Sequence, residues 1–301
     1  MIRNKGKSTI YQSAPAPLIG LALGLLLLLI AAALPQPPVT AQTPDDPHSF
    51  EQHTYETAGG QGKIISQQTV IAADYFEQNG VLEGLSLSPA GLTLSQDALS
   101  GSYTSGPVAS PLAFTTDIGL AWQADIPAGA SVQVEVRLSD DGQTWADWSD
   151  VPVALPPDPN NRYIGALVWA EQAQTYLQFR LTLNTDSPGA NPQVQQLTLF
   201  FNDTSQGPAV ENGSARLQSD APGVPVTVCP AQPPIISRTD WGCPTGPESP
   251  HWPPQYQPVT HIVVNHTASP NSAADWARVV RSIWHFHAKI LGWGDIGYNY
   301  L

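Results

Sequence analysis

Val132-Gln-Val-Glu-Val-Arg-Leu138, running into Ser139-Asp-Asp-Gly142, is the stretch from which the fold class can be read. Apolar and polar residues alternate with a period of two, the side-chain period of a strand with one face buried and the other in water. The Asp-Asp-Gly that closes the run is a hairpin signal. The same texture recurs downstream. Leu177, Phe179, Leu181 and Leu183 alternate with Gln178, Arg180 and Thr182, and a third run, Val194 to Phe201, follows a turn rich in Pro, Gly and Asn. Strands at this spacing, with no helical period between them, predict an antiparallel β-sandwich, jelly-roll-like, over residues 80–202.

Composition divides the rest of the 301 residues. Residues 1–41 hold no Asp or Glu, carry Arg3, Lys5 and Lys7, and run apolar from Leu18 to Leu34. Val39 and Ala41 stand at the −3 and −1 places of a signal-peptidase cut before Gln42. The segment reads as an export signal, either cleaved or kept as an N-terminal anchor, because the apolar run is long for a signal core and barely long enough to cross a bilayer. The remainder is expected outside the cytoplasm, secreted or in the cell envelope, touching a membrane only through that segment if it stays uncleaved. Residues 42–79 and 203–233 are polar and turn-rich and are read as linkers.

Lys plus Arg number 12 against 25 Asp plus Glu, a net charge of −13 that repels phosphate backbones and argues against nucleic acid as a partner. Two cysteines, Cys229 and Cys243, exclude a disulfide scaffold and an all-cysteine zinc site. In an oxidising compartment they are read as a disulfide pinning the start of the last domain.

That domain, residues 234–301, has a different texture. His261 to Val264 is a β-branched, strand-like run ending at Asn265-His266-Thr267. Ser272, with Asp275 three residues on, has the spacing of a capping box. Trp276, Val279, Val280, Ile283 and His287 then fall on one helical face, Gly292 stops the helix, and Ile296 to Leu301 is strand-like again. Strand, amphipathic helix and strand read as α/β.

Two resemblances add to this reading. Ser139-Asp-Asp-Gly-Gln-Thr-Trp145, with Trp148 after it, loosely resembles the strand-turn-strand of jelly-roll carbohydrate-binding modules. That makes Trp145, Trp148 and Trp169 candidates for stacking on sugar rings, with packing inside the sandwich the bland alternative. The second resemblance lies in the last domain. Pro234-Ile-Ile-Ser-Arg-Thr-Asp-Trp-Gly242, Thr260-His-Ile-Val-Val-Asn-His-Thr-Ala268, Ile283 with His287, and Leu291-Gly-Trp-Gly-Asp-Ile-Gly-Tyr-Asn-Tyr300 resemble, in order, the opening of the peptidoglycan recognition protein family, also called type 2 N-acetylmuramoyl-L-alanine amidases. This resemblance covers about 70 residues. It implies the first part of an α/β amidase domain with a mixed central sheet, and a groove for the stem peptide of bacterial peptidoglycan. In active members it also implies zinc-dependent cleavage between N-acetylmuramic acid and L-alanine.

A catalytic zinc needs three protein ligands and an open position for water, whose pKa it lowers. The family's first ligand position is matched by Asn265, a poor zinc ligand. His266 next to it is a substitute only if its ring shares a face with Asn265, and successive strand residues face opposite ways. The family's other zinc ligands lie further along its sequence than Leu301. Tyr298 matches the catalytic tyrosine that donates a hydrogen bond near the scissile carbonyl, and Thr267 and His287 match positions lining the substrate groove. His285 and His287 point too far apart around a helix to share a metal. Asn-x-Ser/Thr triplets at Asn202, Asn212 and Asn265 carry no weight without a glycosylating host. Three functions follow: an exported zinc amidase, a recognition protein that binds peptidoglycan without cutting it, and a surface carbohydrate-binding adhesin that works through its sandwich.

Overall fold

The computed structural model describes residues 51–57, 60–170, 174–210, 235–245 and 255–301. The expected export segment and Cys229 lie outside them. In chain order the strands are β1 (Glu51–Glu56), β2 (Lys63–Ile71), β3 (Gly80–Glu83), β4 (Leu85–Ser88), β5 (Gly91–Leu94), β6 (Ser100–Ser105), β7 (Val108–Ala109), β8 (Asp117–Asp125), β9 (Ala130–Ser139), β10 (Ser149–Asp150), β11 (Val153–Leu155), β12 (Arg162–Gly165), β13 (Val168–Trp169), β14 (Tyr176–Thr185) and β15 (Gln193–Asp203). A short helix α1 (Ala73–Gln78) follows β2, and α2 (Trp276–His285) continues as a wider π turn over Phe286–Ile290.

Among the described residues one antiparallel sheet has nine strands, on the path β1-β2-β15-β8-β12-β11 with β13, β5 and β4 attached. The other has six, β10-β9-β14-β6-β3 with β7 on β14. Period-two alternation produces the facing surfaces. β9 buries Val134, Val136 and Leu138, and β14 buries Leu177, Phe179, Leu181 and Leu183. Their register sets Val134 opposite Leu181, Val136 opposite Phe179 and Leu138 opposite Leu177, so the inward residues stack in rows. Trp122, Leu197, Leu199 and Phe201 of the nine-stranded sheet close the core from the other side, and Phe76 of α1 joins it. Each such side chain contributes about 1.5–3 kcal/mol on burial. The antiparallel sandwich read from these runs is therefore what the chain builds.

Its extent differs from the expectation. The stretch 42–79, read as a linker, holds β1, β2 and α1. Two of the four buried positions of β2 are polar, Ser66 and Thr69 beside Ile64 and Ile71, and they hide the strand's alternation. β8 hides its period for the opposite reason: Asp117 to Trp122 is buried throughout. One face of β8 meets the core and α2 lies against the other, where a Cβ on Gly119 would fall 2.5 Å from Ile290 Cδ1. A strand covered on both faces reads as a continuous apolar run.

Of the α/β arrangement expected over 234–301, the described residues show the helix and no strand of a mixed sheet. The helix forms, but residues 261–264 and 296–301, expected as strands, pair with no strand among the described residues. Ile262, Val263 and Val264 are 86%, 85% and 89% exposed. β-branched residues favour extended backbone, yet a strand also needs a neighbour for its N–H and C=O groups. The face argument that separated Asn265 from His266 therefore has no strand to act on. The helix start also moves: Asp275, not Ser272, is the cap, its carboxylate accepting from the Ala277 N–H at 3.0 Å. The stop is as read, with the turn ending at Ile290 and Gly292 at φ 73°.

Candidate functional site

The π turn that continues α2 carries His287, and the sandwich holds the helix. Asp117 at the start of β8 is wholly buried, and its carboxylate accepts from Asn202 Nδ2 (2.7 Å), Thr116 Oγ1 (2.9 Å) and Ser282 Oγ of α2 (2.6 Å). Burial pushes its pKa up, and these donors pull it back. Next along α2, Arg281 is 0% exposed. Its Nε donates to Thr204 O (2.7 Å), its Nη1 to Pro208 O and Trp241 O (2.8 Å each), and its Nη2 to Asp275 Oδ2 (3.3 Å). One guanidinium thus ties together the strand exit at Thr204, the segment before the helix and the Trp241 turn. A second apolar cluster, Ile64, Trp241, Cys243, Ala277, Trp284 and Ala288, seals the contact.

Beyond the helix the chain folds back on His287. The Gly297 N–H donates to His287 Nδ1 at 3.1 Å, which leaves the proton of the neutral ring on Nε2. Trp293 and Tyr298 lie against the same ring, with centroids 4.6 and 5.6 Å away. Burial lowers the His287 pKa to about 4, so the imidazole is neutral at physiological pH. His285, two positions earlier, is lowered to about 3 by burial, with Lys289 and His53 adding to the effect. The block Leu291 to Tyr300 is anchored at its far side by Arg238, whose Nη2 meets Asp295 Oδ1 at 2.7 Å and Cys243 Sγ at 2.9 Å. The proposed partner of Cys243, Cys229, is outside the described residues.

Of the expected site residues, the structure brings His287 and Tyr298 together. Asn265 and His266 are exposed, and Thr267 is half-buried with its Oγ1 2.6 Å from Ser269 Oγ. Among the described residues none of these three makes a hydrogen bond or ring contact with the His287 cluster. The donor set does not fit zinc. His287 Nδ1 accepts a backbone N–H, Asn265 is a weak ligand, and no three His, Cys, Asp or Glu side chains converge among the described residues. Sequence reasoning passed over Trp293, Arg238, Asp295 and Arg281. A charged residue inside an otherwise apolar helix run or glycine block was the available signal.

The aromatic candidates on the sandwich separate into two kinds. Trp148 carries the guanidinium groups of both Arg137 and Arg180, 4.6 and 4.5 Å from its ring centroid, and Arg137 also lies 5.1 Å from that of Trp145. Those two rings brace the hairpin, which Asp141 organises by accepting the N–H groups of Gln143 and Thr144. Trp169 instead points at the motif segment, its Nε1 donating to Ala268 O at 3.3 Å. A cleft of about 400 Å³ opens beside it.

No family model matches the chain. Peptidoglycan recognition protein 1 of Bos indicus is 38% identical over 69 residues, which make up 22% of this chain and 35% of that protein. The Bos taurus protein of the same name is 36% identical over the same length and shares. The chain thus spans about a third of the length of these curated relatives. Among solved structures, the C-terminal carbohydrate-binding module of a marine laminarinase from Zobellia galactanivorans is 14% identical, covering 44% of this chain and 98% of that one at a TM-score of 0.28. A xylan-binding module is also 14% identical, covering 52% and 99% at 0.27.

Proposed function

We propose that this chain is an exported protein that recognises bacterial peptidoglycan through its C-terminal segment, with the sandwich as the platform that holds it. The observation that carries this reading is the 69-residue similarity to peptidoglycan recognition protein 1. It is supported by the folded cluster in which His287 and Tyr298 face each other and Arg238 bonds Asp295 across 57 positions of sequence. A buried neutral imidazole beside a tyrosine ring and a tryptophan ring offers a donor and an aromatic wall, a combination suited to peptide amide groups.

Amidase chemistry is the finer form of the same reading. It assigns Tyr298 to the scissile carbonyl and asks for zinc, which would supply an activated water. Among the described residues no such ligand set converges, so the reading proposed here stops at recognition and leaves hydrolysis to the test. The test is co-sedimentation of the full chain with purified insoluble peptidoglycan, with and without a chelator, followed by assay of newly exposed L-alanine amino groups. Chelator-resistant binding that falls in Tyr298→Ala, with no new amino groups, is expected. Absence of co-sedimentation would overturn recognition, and chelator-sensitive release of amino groups would establish the amidase instead.

A further inference from the structure

We propose that the cleft between the sandwich and the first turn of α2 is a saccharide subsite that takes an N-acetylated amino sugar of the glycan strand. This rests on the peptidoglycan-recognition reading and extends it onto the sandwich. Phe114, Trp169 and Ser205 line the cleft from the sandwich, and Pro270, Ser272 and Arg278 from the other side. Its volume, about 400 Å³, falls within the range of roughly 300–1,000 Å³ of small-molecule sites, which combine an apolar wall with a few placed polar groups.

Three features favour a sugar. The first is Trp169, half-buried, with its ring orientation fixed by the Nε1–H bond to Ala268 O. An indole held in this way is a platform for the C–H face of a pyranose, whereas Trp145 and Trp148 are already occupied by arginines. The second is Arg278. Among the described residues its guanidinium makes no hydrogen bond or close ion pair, though its charge is felt by the buried Asp117 carboxylate. A guanidinium only donates, so its partner must accept, and the acetamido carbonyl and ring hydroxyls of an amino sugar do so. Third, Ser205 Oγ spends its proton on Asp203 Oδ1 at 2.6 Å and is left as an acceptor for a ligand hydroxyl.

The test uses the full chain and two probes, a peptide-free tetrasaccharide of alternating N-acetylglucosamine and N-acetylmuramic acid, and a stem pentapeptide without sugar. Binding is read by calorimetry, with the thermal midpoint of each variant as a folding control. Trp169→Ala should weaken the tetrasaccharide roughly tenfold, Trp169→Phe should retain most of the affinity, and Arg278→Gln should weaken it about three- to tenfold, all with pentapeptide affinity unchanged. Wild-type affinity for the tetrasaccharide in both Trp169→Ala and Arg278→Gln would overturn the subsite. So would a wild-type chain that binds the pentapeptide but not the tetrasaccharide, and in that case recognition would survive. A wild-type chain that binds neither probe would overturn both readings together.

Discussion

Arg281→Ala should release helix α2 from the sandwich while leaving the sandwich folded. The guanidinium is wholly buried and donates to three main-chain carbonyls and one carboxylate. Burial alone disfavours its charged form, and Asp275 opposes that effect. Hydrogen bonds to charged groups are worth about 1.5–3 kcal/mol each but do not add, and removing one side of a buried ionic network costs about 3–5 kcal/mol. Alanine would leave Thr204, Pro208 and Trp241 carbonyls without this donor, and Asp275 without its cation. A loss of about 3–5 kcal/mol corresponds to roughly a hundred- to several-thousand-fold faster amide exchange wherever the helix opening sets the rate. Hydrogen exchange on the full chain, read by mass spectrometry, should place that loss in residues 276–290 and spare β9 and β14. Arg281→Lys should fall between, since an ammonium concentrates its donors at one point and cannot span the three carbonyls. Protection of 276–290 within threefold of wild type in Arg281→Ala would refute the reasoning, as would equal losses in β9 and β14.

Other expectations follow from the same geometry. Ser282→Ala removes one of the donors to the buried Asp117 carboxylate and should cost about 1–3 kcal/mol in urea unfolding, again centred on α2; no change would mean that water replaces the hydroxyl. Phe179→Ala, at 0% exposure in the middle of β14, should cost about 3–5 kcal/mol and lower the unfolding midpoint of the whole sandwich. Stability should fall on acidification. His285 and His287 have folded pKa values lowered to about 3 and about 4, so below their ordinary value near 6.5 the unfolded chain takes up protons that the fold does not. By pH 5 this amounts to about 2 kcal/mol per histidine. Asp117, raised by burial, acts in the opposite sense, its cost easing as pH falls. Comparing wild type with His285→Gln and His287→Gln between pH 7.5 and 5 isolates the histidine part, and equal slopes in all three would count against it.

What could be read in the sequence depended on how many faces of an element are buried, and by what. β9 and β14 were legible because each buries apolar residues on one face and shows polar ones on the other. β2 was not, since Ser66 and Thr69 occupy inward places, and β8 was not, since the core covers one face and α2 the other. Tyr298 could be singled out as a candidate because it sits in a short, dense block, and His287 because it falls on the apolar helical face, whereas the Arg238–Asp295 pair joins residues 57 apart and leaves no local pattern. The docking of the helix was invisible for a sharper reason. Its decisive contacts are polar: Asp117, Asn202, Thr204, Ser282 and Arg281. In a sequence such residues read as surface, because a buried polar group is tolerable only when its partners are in place, and here the partners come from β8, β15 and α2. The consequence bears on function. The ring of His287 stands about one and a half turns beyond Ser282 and Arg281, in the π turn that continues their helix, so its position is set by residues of the sandwich. If the proposed recognition runs through His287, substitutions at Asp117 or Asn202 should weaken peptidoglycan co-sedimentation through the placement of that ring, and the effect should track the loss of helix protection rather than any change in the cluster itself.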